Sequence, residues 1–153
     1  MIYTIYDPIS YDVLYAQEFE QAPENSTLSV MFNSYIKPKY NPDTDTFYEG
    51  ASLQEQMIAK IEDEFQRYLK RKADGEAYHL RICAELRVMK LEGGISQEQY
   101  DAIYTILGPT RNEVVTGNWI SGLKELEKAQ SYLSPTLYNR LYLDISTYIT
   151  ENY

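Results

Sequence analysis

The residue pair best suited to chemistry is His79 and Cys83, the only histidine and the only cysteine in the chain. Their i, i+4 spacing places both side chains on one face of a helix. Such a pair could share a metal ion or form a reactive thiolate, because histidine is the usual base that activates a nucleophile. A closed zinc site needs four protein ligands, and no further histidine or cysteine can complete this one. We therefore predict that both residues are ordinary members of a helix face, without a metal.

A second candidate is the acidic turn at residues 41–45, where Asn41, Asp43 and Asp45 alternate as in the first half of a calcium loop. Pro42 interrupts that pattern, and Thr46 occupies the sixth position, where the loop requires glycine. No G-x-G-x-x-G, Walker, H-E-x-x-H or G-x-S-x-G string occurs elsewhere in the sequence. The sequence thus predicts no catalytic residue and no cofactor, and it favours a protein that is not an enzyme.

Charge argues against a nucleic-acid-binding role. The 153 residues carry a net charge of −9, and residues 1–51 hold eight acidic and two basic groups. The one basic run, at residues 67–72, lies beside the acidic residues 62–64, which is typical of a solvated helix face rather than of a phosphate site. We therefore expect protein partners and no nucleic acid.

The chain also shows no sign of export or membrane insertion. Its first ten residues lack the basic and apolar regions of a secretion signal. No apolar run approaches the ~18 residues that suggest a membrane span. A single cysteine cannot form an internal disulfide, so we expect a protein that is made in a reducing cytoplasm and does not enter a membrane.

Residues 1–51 have the pattern of short strands. Residues 2–6 are β-branched and aromatic, Asp7-Pro8 stops them, and residues 13–15 could pair back as a hairpin. A second hairpin is predicted from residues 35–40 and 46–48, with Pro38 at an edge or a break. The two turns share a pattern in which an aromatic residue precedes an Asx-Pro pair and a hydroxyl residue follows two positions later. In both turns the Asx side chain is expected to cap the turn.

From Ser52 onward the apolar period becomes helical. Ser52 and Glu55 form a capping box, and the first helix either continues through Asp74-Gly75 or bends there, before Gly93-Gly94 ends it. Its first apolar stripe consists of Ile58, Ile61, Phe65, Tyr68 and Leu69. Shorter helices are predicted with caps at Ser96, Asn118 and Ser134, a break at Gly108-Pro109, and Trp119 as a core residue. The sequence therefore predicts an α+β protein with a β-rich attachment segment at 1–51 and a helical bundle at 52–153.

Three strings in the N-terminal third resemble accessory virion proteins of tailed bacteriophages: YDPISYDVLY (6–15), APENST (22–27) and PKYNPDTDTFYEGAS (38–52). The later strings GISQEQY (94–100) and GNW (117–119) are similar to small helical domains of such proteins, those of crAss-like phages among them. The resemblance implies a non-enzymatic virion protein that attaches to capsid or tail subunits and forms a homo-oligomer. The long repetitive shaft of a tail fibre is missing, which favours a head fibre, a fibre anchor or a connector.

The N-terminal aromatic residues are the predicted partner-binding site. Tyrosine combines a large apolar ring with one polar group, and interface centres are rich in aromatic residues and poor in charge. A two-stranded hairpin is marginal by itself in water, so these strands are expected to dock on something. Two other roles stay open: an assembly chaperone that leaves before the virion matures, and a small acidic regulator or inhibitor. The predicted contact residues are Tyr3, Tyr6, Tyr11, Tyr15, Tyr35, Tyr40, Phe47 and Tyr48.

Overall fold

The computed structural model describes residues 1–31 and 34–153, and it confirms the predicted α+β class. Strands precede helices along the chain. The strands are β1 (Ile2–Tyr6), β2 (Val13–Glu18), β3 (Ser26–Thr27), β4 (Pro38–Asn41) and β5 (Thr46–Glu49), and the helices are α1 (Leu53–Leu91), α2 (Gln97–Ile106), α3 (Gly108–Val115), α4 (Trp119–Ala129) and α5 (Pro135–Asn152), with a 3₁₀ turn at Gln130–Tyr132.

The chain divides into two compact units, Met1–Asp63 and Glu64–Tyr153. The predicted boundary at residue 52 coincides with the start of α1, whereas the division between the compact units falls inside that helix. The first turns of α1 therefore belong with the strands.

Both predicted hairpins form in the N-terminal unit. Strand β1 lies between β2 and β3 in an antiparallel sheet, and β4 pairs with β5 in a second sheet. Opposed residues share a face of a sheet, so the register Ile5↔Tyr15 places Tyr15 beside a buried isoleucine, and Tyr40↔Phe47 places those two rings together.

The two Asx-Pro turns have the expected local structure. The Asp7 carboxylate accepts hydrogen bonds from the backbone N–H groups of Ile9 and Ser10, each at 2.8 Å, and the Asn41 side chain accepts one from Asp43 N–H at 3.0 Å. Tyr11 and Asp45 occupy equivalent places in the two turns and both have a positive φ, of 61° and 50°. The sequence pattern thus encodes the same turn twice, including its uncommon left-handed residue.

Helix α1 is one helix without a break. The Ser52 and Glu55 capping box forms as predicted, with Glu55 N–H donating to Ser52 Oγ at 3.3 Å and Ser52 N–H donating to Glu55 Oε2 at 2.8 Å. Gly75 lies inside the helix without interrupting it. Its missing side chain leaves room for the backbone of α3. A Cβ atom built at Gly75 would lie 1.9 Å from the carbonyl oxygen of Val114, so only glycine lets the α3 backbone approach this closely.

The C-terminal unit is a helical bundle with a continuous apolar core. Trp119 is 2% exposed, which confirms its predicted core position, and its ring stacks on Tyr148 at 3.7 Å between ring centroids. The predicted caps at Ser96 and Ser134 are present. The cap predicted at Asn118 does not form: Asn118 precedes α4 without a side-chain capping bond, and its Nδ2 donates to Thr116 Oγ1. The core consists of Tyr78, Ile82, Leu86, Leu107, Val114, Trp119, Leu126, Ala129, Leu133, Leu137, Tyr138, Leu141 and Ile145.

The first apolar stripe of α1 does not enter this core. The buried residues of α1 begin at Gly75 and continue through Tyr78, Ile82 and Leu86. The five side chains of the predicted stripe, at positions 58, 61, 65, 68 and 69, are all exposed. Periodicity identified an apolar face correctly, but the bundle helices cover α1 only further along the chain.

Candidate interaction surfaces

Four of the predicted contact residues form an aromatic cluster inside the N-terminal unit. Tyr6 lies between Tyr40 and Tyr11, with ring centroids 4.5 Å and 6.5 Å away, and Tyr40 contacts Phe47 at 5.4 Å. The cluster spans both sheets, because Tyr6 belongs to β1 while Tyr40 and Phe47 belong to β4 and β5. These rings hold the two hairpins together.

Polar contacts support this junction. The Tyr40 hydroxyl donates to Asp45 Oδ1 at 2.6 Å, and the Thr27 hydroxyl donates to the same oxygen at 2.8 Å. Burial raises the pKa of Tyr40, and the hydrogen bond from Tyr40 lowers the pKa of Asp45. A backbone bond from Tyr40 N–H to Tyr11 O, at 2.9 Å, joins the sheets directly. Asp45, a candidate calcium ligand by sequence, instead accepts these hydrogen bonds within the fold.

The eight predicted contact residues differ in accessibility. Tyr3 and Tyr40 are buried, and Tyr6, Tyr35 and Phe47 are partly buried. Tyr11, Tyr15 and Tyr48 are exposed. A buried ring cannot contact a partner in this conformation. The accessible part of the predicted site therefore consists mainly of Tyr11, Tyr15 and Tyr48.

Strand β2 combines an open edge with exposed apolar side chains. One side of β2 pairs with β1, and a single bridge, Asp12↔Lys39, connects the turn before it to β4. Along Val13–Glu18 itself, no strand in the described part of the chain pairs with the other side. Leu14 and Tyr15 are 57% and 51% exposed, and Glu18 is the only charged residue of the strand. Edge strands of soluble proteins usually carry lysine, proline or a bulge against unwanted pairing. Strand β2 has one bulge, at Leu14, which lies between Val13 and Tyr15 without a partner on β1, and the strand contains neither lysine nor proline.

Two glutamates fasten the segment that leads into α1. Glu49 accepts hydrogen bonds from the N–H groups of Ile36, Lys37 and Ala51, and these bonds, Ile36 first, lower its pKa. Glu55 forms an ion pair with Lys37 in addition to its capping bond with Ser52. The hydrogen bond from Lys37, followed by that from Ser52 N–H, lowers the pKa of Glu55 to about 2. These carboxylates are structural, since their acceptors are already occupied by chain donors.

No protein-family model, curated protein or solved structure matches this chain.

The function must therefore be argued from the chain's own surfaces, and the histidine–cysteine pair is the first to test. His79 Nε2 and Cys83 Sγ lie 3.8 Å apart, as the helical spacing predicts. Sequence reasoning missed the third member, Arg111, whose Nη1 lies 3.9 Å from Cys83 Sγ. Burial, followed by the charge of Arg111, lowers the pKa of His79. Nothing in the spacing of a lone arginine on α3 signals this contact.

Arg111 is held as a packing element. It is 5% exposed, its guanidinium lies 3.6 Å from the centre of the Tyr104 ring, and its Nη2 donates to Tyr104 O at 2.7 Å. Within the described residues, no group of three or more histidine, cysteine, aspartate or glutamate side chains could hold a metal ion. His79 Nδ1 is buried and has no hydrogen-bond partner among the described residues, so none of them orients His79 as a base.

The C-terminal unit contains an open groove of about 480 Å³ that sequence reasoning also missed. Trp119 and Tyr148 line it together with Lys70 and Asp74. The Tyr148 hydroxyl donates to Asp74 Oδ2 at 2.7 Å and Lys70 Nζ donates to the same oxygen at 2.9 Å, which lowers the pKa of Asp74. Asp74, Lys70 and the Tyr148 hydroxyl are therefore already paired with one another.

None of the helices in the described ranges is long and apolar enough to cross a bilayer.

Proposed function

We propose that this chain is a non-enzymatic bacteriophage virion protein, a head fibre, fibre anchor or connector, that attaches to a capsid or tail subunit through its N-terminal unit. The observation that carries the proposal is the open outer edge of β2 with Leu14 and Tyr15 beside it. Main-chain N–H and C=O groups of such an edge can pair with a strand of a partner, and flanking side chains then add specificity. The resemblance of residues 6–52 to accessory virion proteins supplies the biological setting.

The rest of the N-terminal unit supports an attachment role. The aromatic cluster of Tyr6, Tyr11, Tyr40 and Phe47 braces the two hairpins internally. A braced hairpin presents its edge to a partner at a lower ordering cost than a free segment. Tyr48, on β5, is 43% exposed and offers a second apolar ring. The accessible apolar side chains of the proposed contact surface are therefore Leu14 and Tyr15 on β2, Tyr11 in the turn before it, and Tyr48 on β5.

Mass spectrometry of purified virions tests the proposal. The protein is expected at stoichiometric copy number in washed particles. An assembly chaperone would be present in immature particles and missing from mature ones, and a cytoplasmic regulator would be missing from both. Either of those results would overturn the virion role.

A double substitution tests the surface itself. Leu14→Lys with Tyr15→Lys places charges on the open strand, which is how natural edge strands avoid pairing. Incorporation into particles is expected to fall strongly while the fold, measured by circular dichroism, is kept, because both side chains are exposed. Tyr132→Lys is the matched control, since Tyr132 is 71% exposed in the C-terminal unit. Normal incorporation of the double variant would remove β2 from the attachment site.

A further inference from the structure

The start of α1 carries an apolar face that is exposed in the described chain. Ile61 is 66% exposed and Phe65 is 54% exposed, and Met57, Ile58, Tyr68 and Leu69 are exposed around them. Every residue from 61 to 70 is exposed. A contiguous group of six large apolar side chains on one helix marks an interaction surface more often than isolated exposed residues do.

The spacing of these residues is that of a coiled-coil seam. Ile58, Ile61, Phe65 and Tyr68 follow one another at intervals of three, four and three residues, which are consecutive a, d, a and d positions. Met57 and Leu69 flank the seam at g and e positions. A heptad seam packs against a second helix that has the same repeat. A second copy of this chain supplies such a helix.

The seam and the residues that α1 buries in the bundle occupy successive stretches of the helix. With 3.6 residues per turn, the mean direction of the seam is rotated by about 75° from that of the face formed by Gly75, Tyr78, Ile82 and Leu86, although Tyr68 and Leu86 point the same way. The buried residues of α1 begin at Gly75, six residues after Leu69, so none of them belongs to the seam. Pairing along the seam does not require any of the buried contacts of α1 to break.

Charge decides the direction of pairing. In the antiparallel register that aligns all four seam residues, Glu62 would face Glu62 of the second copy and Glu64 would face its counterpart. Two like-charge pairs would then flank a short seam, and such pairs are destabilising. In a parallel arrangement, Glu62 faces Met57 and Glu64 faces Leu69, because g and e′ positions five residues apart meet. Charge therefore disfavours the antiparallel form.

We infer that copies of this chain associate through residues 57–69 of α1 as a parallel coiled coil. The inference does not depend on the proposed virion role, since it concerns the purified protein alone. The seam has only four layers, so association is expected to be weak and to increase with protein concentration.

Sedimentation of the full chain over a wide range of concentrations tests the association. The mass is expected to rise from that of one chain to that of two or three. Ile61→Glu with Phe65→Glu is expected to keep the helical circular dichroism signal and to remain monomeric throughout. Leu143→Glu is the matched control, because Leu143 is 64% exposed on α5 and lies outside the seam, and it should associate like the unaltered chain. A chain that stays monomeric at every concentration, or a double variant that still associates, overturns the inference.

Cross-linking tests the direction. Gln54 and Lys72 extend the seam at its two ends, as d and a positions. With Cys83→Ser as background, Gln54→Cys is expected to form a disulfide between copies under mild oxidation, because equivalent d positions meet in a parallel coiled coil. An antiparallel pair would instead join a Gln54→Cys chain to a Lys72→Cys chain. Cross-linking restricted to that mixture overturns the parallel arrangement.

Discussion

At the scale of single residues, glycine decides how closely two helices approach in the C-terminal unit. Gly75 in α1 faces the Val114 carbonyl, and Gly122 in α4 faces the Val114 side chain, where a Cβ atom would lie 2.6 Å from Cγ2. Both glycines therefore act on the same residue of α3. Their common effect is to let α3 lie against both neighbours with its backbone close to theirs.

Substituting Gly75 by alanine separates packing from helix propensity. Propensity alone would make Gly75→Ala stabilising by about 1 kcal/mol. The added Cβ would meet a backbone carbonyl that cannot rotate away, so we expect a net loss of about 1–3 kcal/mol in the free energy of unfolding, typical of overpacking. Urea denaturation of the two proteins measures it. Glu76→Ala, at an exposed neighbouring position, should change stability by no more than about 0.5 kcal/mol. A stabilised Gly75→Ala variant would show that α3 does not approach α1 this closely.

At the scale of elements, the strongest acid sensitivity belongs to the entry into α1. Glu55 has an ordinary pKa of 4.5 and a folded pKa of about 2, because it accepts from Lys37 and from Ser52 N–H. A lowered folded pKa stabilises the capped helix start above pH 4.5, and that contribution is lost as the pH falls from 4.5 towards 2.

Nuclear magnetic resonance of the Glu55 carboxyl carbon and of the Ser52 amide measures the pKa of Glu55 in the folded chain. Both signals are expected to titrate together near pH 2, and Lys37→Met should move the midpoint towards the ordinary value. Glu55→Gln should remove the titration of the Ser52 amide. A midpoint near 4.5 in the unaltered chain would mean that the Lys37–Glu55 pair does not persist in solution.

Local chemistry explains why some elements could be predicted from sequence and others could not. Both hairpins and the Ser52, Ser96 and Ser134 caps were predicted correctly, because Asx-Pro turns and capping boxes act within a few residues. The accessibility of the tyrosines could not be predicted, since it depends on strand register and on how two sheets meet. Tyr40 is buried while Tyr48, on the paired strand, is exposed.

The α1 seam shows the same limit for helices. Periodicity identifies which face of a helix is apolar and says nothing about which element covers it. The sequence therefore indicated the stripe at residues 58–69 but placed it in the bundle. The contact of Arg111 with Cys83 is a further case, because it joins residues on α1 and α3 that no local pattern connects.

At the scale of the whole molecule, the residues of the bundle's apolar core all come from one part of the chain. Its first residue is Tyr78 and its last is Ile145, so none of the described residues in 1–63 belongs to it. The N-terminal unit has its own buried side chains, Tyr3, Ile5, Tyr40 and Ala51 among them. Each unit thus has an independent source of apolar burial, although α1 runs through both.

A chain that begins at Gly50 is therefore expected to keep the folded bundle. It retains every core residue, the complete α1 helix and its Ser52 cap, and it loses the hairpins, their aromatic cluster and the Glu49 and Lys37 contacts at the start of α1. Thermal unfolding followed by circular dichroism should remain cooperative. The urea m-value should fall, because m scales with the surface exposed on unfolding and the hairpins no longer contribute. A chain of residues 1–63 is the reciprocal sample and should show the tyrosine near-ultraviolet signal of the aromatic cluster if that unit folds alone. A Gly50 chain that unfolds without a cooperative transition would show that the bundle depends on the N-terminal unit, and the division of the protein at the start of α1 would then be wrong.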